Sequence, residues 1–158
     1  MFKYVAALAV VSALAGCAAK SEFVRPPSAE GPALSKSVMA KVGALSRDGK
    51  KVSYIYEVPQ AGNAVSNALV TLASNAGAVS TSAEYLTGVL KLSRLPSMTV
   101  LGESDAVTAA AIESAIRGLQ DAKTTTVIYF AGERSYVDRL RMLAGQAGVP
   151  LEATIYPE

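Results

Sequence analysis

The chain has 158 residues, 51% apolar and 18% charged, so it is long and apolar enough to bury a core and is not a disordered polymer. Its 15 basic and 13 acidic residues nearly balance, and the basic ones are scattered, which argues against the clustered positive footprint of a nucleic-acid-binding protein. With no histidine, no tryptophan and a single cysteine, the sequence excludes an intrachain disulfide, histidine-dependent triads and dyads, haem attachment and cysteine-held iron–sulfur clusters. It also speaks against structural zinc, and no cofactor or metal is expected.

The first element is a leader. Lys3 supplies a positive start, Val5 to Leu14 an apolar run, and Ala15 and Gly16 the small residues that end a secretory signal. Val5 to Ala19 is too short and too weakly apolar for a membrane span, which needs about 20 residues. The tetrad Leu14-Ala15-Gly16-Cys17 resembles the bacterial lipobox, and the only cysteine of the chain stands at its required last position. The competing reading is an ordinary leader followed by a chance cysteine. The resemblance implies cleavage before Cys17, a diacylglyceryl group on its thiol and a further acyl chain, such as palmitate, on the new amino end. Each buried methylene contributes about 0.8 kcal/mol, so two or three chains anchor stably where one does not. Ala18, rather than Asp, follows the cysteine. By the same resemblance this implies an outer-membrane lipoprotein whose folded part faces the periplasm.

On this reading residues 1–16 are signal peptide and residues 17–33 are the lipidated cysteine with a tether. Pro26, Pro27, Gly31 and Pro32 keep the tether out of helix and core strand. Extended, it reaches on the order of 50 Å. Removing Lys3 with the leader leaves 14 of the 15 basic residues against 13 acidic ones, a formal charge of about +1.

Residues 34–158 read as one domain. Leu34, Val38, Val42 and Leu45 recur at helical spacing over 33–46, although Arg47-Asp48-Gly49-Lys50 also suits a hairpin turn. With Lys51, the basic residues there read as a solvated turn. Val52, Tyr54, Tyr56 and Val58 alternate as a strand ending at Pro59. A helix is expected over Asn63 to Asn75 with Gly77 as its stop, and a short one over Glu84 to Leu92. Met98 to Leu101 predicts a strand. A helix capped by Ser104 or Asp105 then runs to about Gln120, with Thr108, Ile112, Ile116 and Leu119 inward. Thr124 to Ala131 predicts a central strand covered on both faces. Glu133 to Gln146 predicts a helix stopped by Gly148 and Pro150, before a last strand through Leu151, Ala153 and Ile155. Alternating strands and helices predict a small α/β domain with a βαβαβ second half: about four mostly parallel strands packed with helices. Leu72 to Gly77 echoes Leu143 to Gly148; two helices that stop by the same chemistry account for it.

Carboxylates are the chemistry that remains. Glu103 and Asp105 stand between a strand and a helix, where open α/β sheets hold ligands. The pair suits acid–base work or a divalent cation, and it equally suits a helix N-terminus that needs negative charge. Gly132-Glu133-Arg134-Ser135 follows the next strand and has the makings of an anion cradle, without a GxGxxG or Walker pattern; a plain strand-to-helix turn is the other reading. The mouth shared by Gly102–Asp105 and Gly132–Ser135 is therefore the candidate ligand site. Asp138 and Arg141 are spaced as a solvated i,i+3 pair.

The order of strand, helix with Arg139 and Arg141, and strand over Thr124–Glu158 resembles the OmpA-like peptidoglycan-binding family. That resemblance implies a wall-peptide contact at Arg139 and Arg141. The chain departs from the family at Ala131-Gly132-Glu133-Arg134, where an Asp is expected, and it lacks the Asn and Leu-Ser series along the helix. Two functions follow. One is a non-enzymatic, lipid-anchored envelope protein, an accessory or structural part of a secretion, conjugation or pilus-type assembly that works by contact with envelope proteins. The other is a binding module for peptidoglycan or a small periplasmic ligand.

Overall fold

The computed structural model describes residues 34–60, 80–92, 94–119 and 122–157. The leader, Cys17 with its lipobox, the tether and the helix expected over Asn63 to Asn75 lie outside the described residues, as does the Leu72–Gly77 half of the echo.

The alternation over Thr124 to Ala131 produces the central strand of a four-stranded sheet. This strand, β3 (Val127–Gly132), pairs in parallel with β2 (Ser97–Leu101) on one side and β4 (Leu151–Ile155) on the other. β1 (Ile55–Glu57) pairs in parallel with the far side of β2, so the order is β1-β2-β3-β4. The described helices are α1 (Lys36–Arg47), α2 (Thr81–Leu92), α3 (Asp105–Leu119) and α4 (Arg134–Ala147). The domain is thus α/β with an all-parallel sheet. Among the described residues no helix is long and apolar enough to cross a membrane.

Neighbour-by-neighbour order has a geometric consequence. Crossovers of one hand, all stepping the same way, put the described crossover helices on one face. There Leu86 and Leu90 of α2, Ile112 and Ile116 of α3 and Val137 and Leu140 of α4 pack on Met98, Val100, Ile128, Phe130 and Ala153. The register Met98↔Ile128 and Phe130↔Ala153 aligns these side chains in rows. The opposite face presents Leu101, Ala131 and Tyr129, and α1 covers it with Val38 and Leu45. Burying each of those two α1 side chains contributes roughly 1.5–3 kcal/mol over leaving it exposed.

Local chemistry explains the ends of the elements. Ser35 caps α1 by accepting from the Val38 amide. After Asp48, Gly49 takes φ +73°, and the Lys50 amide donates to the Leu45 carbonyl, so Arg47-Asp48-Gly49-Lys50 is a helix stop and not a hairpin turn. Lys50 is not simply solvated: it pairs with Glu152 of β4 at 2.5 Å, and Thr154 donates to Asp48 at 2.6 Å. Ser80 accepts from the Ala83 amide and starts α2 three residues before the expected Glu84. Gly148, at φ +66°, closes α4. The first strand is shorter than its alternation predicts. Tyr54 sits at φ +44° and breaks the extended run, and Val52 turns instead to the α1 cluster.

Candidate functional site at the carboxyl end of the sheet

β2 and β3 end side by side at Gly102 and Gly132, and both glycines are required by what crowds them. A Cβ at Gly102 would lie 2.5 Å from the Thr108 hydroxyl and 3.2 Å from the Val58 carbonyl. One at Gly132 would lie 2.6 Å from the Phe130 ring and 2.9 Å from the Asp105 carboxylate. The absent side chains let the start of α3 fold down over the strand ends.

Ser104 is the residue that caps α3: its hydroxyl accepts from the Val107 amide at 3.4 Å and its carbonyl from the Thr108 amide at 3.0 Å. Asp105 is thereby released from capping its own helix. One carboxylate oxygen, Oδ2, accepts from the Glu133 amide at 2.8 Å, just ahead of α4. The other, Oδ1, pairs with the ammonium of Lys41, which also donates to the Gly102 carbonyl at 2.6 Å. Lys41 is 4% exposed, and it comes from α1, on the opposite side of the sheet. Three separate segments of the chain therefore meet in one polar knot.

Beside the knot is an open cavity of about 390 Å³ lined by Ser37 and Lys41, Glu103 to Ala106, Glu133 and Tyr136, and Tyr156 with Pro157. Its volume falls within the range of small-molecule sites. Glu57, at the end of β1, is raised above the usual carboxylate range by burial and, to a lesser degree, by the neighbouring charge of Glu103. Among the described residues three carboxylates line the cavity, Glu103, Asp105 and Glu133, against one cation, Lys41. Among the described residues no group of three acidic, cysteine or histidine side chains is placed to hold a metal ion.

The structure brings Glu103 and Asp105 to the cavity and places Gly132 against Asp105. Arg134 and Ser135 are exposed and do not line it. The helix N-terminus at 132–135 holds no open anion cradle at Glu133, because Asp105 already accepts from that amide. Lys41, Ser37, Tyr136 and Tyr156 were not anticipated. A signal for Lys41 existed: it falls three residues after Val38 and four before Leu45, on the apolar stripe of α1.

Arg139 and Arg141 do not line the cavity and are engaged within the fold. Arg139 pairs with Glu113, a buried carboxylate of α3, and its guanidinium lies 5.3 Å from the Tyr136 ring centroid. Arg117 approaches the same carboxylate at 3.7 Å. Arg141 does not pair with Asp138 as expected. It donates to the Ala153 carbonyl at 2.5 Å.

No known family, no curated protein and no solved structure matches this chain.

Proposed function

We propose that the chain is a lipid-anchored, non-enzymatic component of a bacterial cell envelope, held on the outer membrane through acyl chains at Cys17 and acting in the periplasm by contact with other envelope proteins. The observation that carries this reading is the sequence Leu14-Ala15-Gly16-Cys17, in which the only cysteine of the chain closes a lipobox after a short apolar leader. The polar knot supports it. Lys41, Asp105 and the Glu133 amide are spent on one another in joining α1 to α3 and α4, a structural use of the groups best placed for chemistry. An accessory or structural role in a secretion, conjugation or pilus-type assembly suits a small tethered domain of this kind.

The test has two parts. Intact mass of the protein isolated from membranes should show a diacyl or triacyl modification on Cys17, and Cys17→Ser should leave an uncleaved precursor. Gentle solubilisation followed by affinity pulldown should then bring down stoichiometric envelope proteins. A free thiol on Cys17, or a monodisperse monomer without partners, goes against the reading.

A second reading is favoured by the cavity: a module that binds a small periplasmic ligand, or a wall peptide, beside Glu103. Retention on purified peptidoglycan that is lost on Glu103→Gln supports it. If retention is instead lost on Arg139→Ala or Arg141→Ala with the fold intact, the contact lies on α4.

A further inference from the structure

We infer that α1 is a clasp, an element that opens from the sheet as a unit, is held shut by Lys41 and carries one wall of the cavity with it. Three observations place it apart from the rest of the fold. Among the described residues its apolar contacts form a cluster of their own, Val38 and Leu45 against Leu101 and Ala131, and the larger core of α2, α3, α4 and the strands contains no α1 residue. Lys41 is the one charged side chain among the buried residues of α1, and its ammonium spans to Asp105 and the Gly102 carbonyl. The helix ends in a glycine turn at Gly49. Two polar links, Asp48 with Thr154 and Lys50 with Glu152, lie beside that turn. These links fix the hinge end of α1 and leave Lys41 to fix the middle.

Such an element opens at lower free energy than a core shared by three helices and a sheet. Opening would uncover Leu101, Ala131 and Tyr129 together. It would also remove Ser37 and Lys41 from the cavity wall, so whatever fills the cavity also holds α1 closed, and closure favours filling in equal measure. On the anchoring reading, on which this consequence rests, residues 17–33 join Cys17 directly to α1, so a pull from the membrane reaches the clasp before it reaches any strand.

Native-state hydrogen exchange on the full-length chain with increasing urea tests the clasp, and it needs no lipid, so it stands or falls separately from the anchoring of Cys17. The amides of Val42, Gly43 and Leu45 should be protected roughly tenfold or more below those of Ile112, Ile128 and Phe130, with a smaller urea dependence. Lys41→Met, which removes the pair that α1 loses on opening, should lower protection in α1 by a further factor of about ten or more. Equal protection and equal urea dependence of α1 and β3 in the parent protein would overturn the inference. So would unchanged protection of α1 on Lys41→Met. Should that variant not fold, the parent comparison decides alone.

Discussion

The ammonium of Lys41 on α1 meets the carboxylate of Asp105 on α3 around the end of the sheet, 64 positions apart in sequence. Both side chains are nearly shielded from water, at 5% and 11% exposure, so each is costly without the other. Removing one partner of a buried pair costs roughly 3–5 kcal/mol, whereas removing both together costs much less. Lys41→Met and Asp105→Asn should each destabilise strongly in urea unfolding, and the double variant should lose clearly less than the sum. Additive losses would show that the pair is not coupled.

At the glycines beneath this pair a Cβ fits only if its neighbours shift. Gly132→Ala presses a methyl group on the fully buried Phe130 and on Asp105, and Gly102→Ala presses one on Thr108 and the Val58 carbonyl. Overpacking of this kind costs roughly 1–3 kcal/mol. Gly145→Ala, where nothing lies within 4 Å, is the control and should be neutral or slightly stabilising in a helix. Thermal unfolding of the three variants checks the order.

Glu57 should make stability fall with pH. Burial, and then Glu103, raise its folded pKa, so the native state holds this proton more tightly than the unfolded chain does. Its contribution is complete below the ordinary carboxylate value and is lost as pH rises through the raised folded value. Glu57→Gln should therefore be more stable than the parent at about pH 7 and equal to it near about pH 4. Chemical denaturation at the two pH values measures the difference. A variant less stable at neutral pH would refute the sign.

Arg141 lies over the outer edge of β4, which is an edge strand among the described residues. Pro150 and Tyr156 bond to β3, so the backbone groups of the residues between, at odd positions, point away from it. The Ala153 carbonyl is one of these, and the Arg141 guanidinium covers it. Uncovered edges pair with other chains. Arg141→Ala should cost about 1 kcal/mol or more and raise concentration-dependent association in sedimentation velocity. Arg141→Lys should restore solubility in part.

The order of elements was legible because it depends on local pattern. The alternation through Ile128 and Phe130, the helical spacing of Ile112 and Ile116, and Gly148 with Pro150 each act over a few residues. The first strand was read too long because alternation from Val52 to Val58 carries no sign that Tyr54 takes a positive φ. Arg141 was paired with Asp138 by helical spacing alone; spacing cannot show that the edge of β4 lies nearer to hand. Glu103 and Asp105 were recognised as standing at a strand-to-helix junction, but the partner that gives Asp105 its use could not be read from that junction.

The sequence by itself determined an α/β domain with a βαβαβ second half, and the expectation of a lipid anchor at Cys17. Hydrophobic period, helix stops and the lipobox are properties of neighbouring residues. Tertiary structure decided that, among the described residues, the four strands are parallel and ordered along the sheet, that α1 covers the second face, and that Lys41 closes on Asp105. Those relations depend on which surfaces meet after the chain has crossed over. A buried charge takes its partner from across that junction, at a distance no local pattern records.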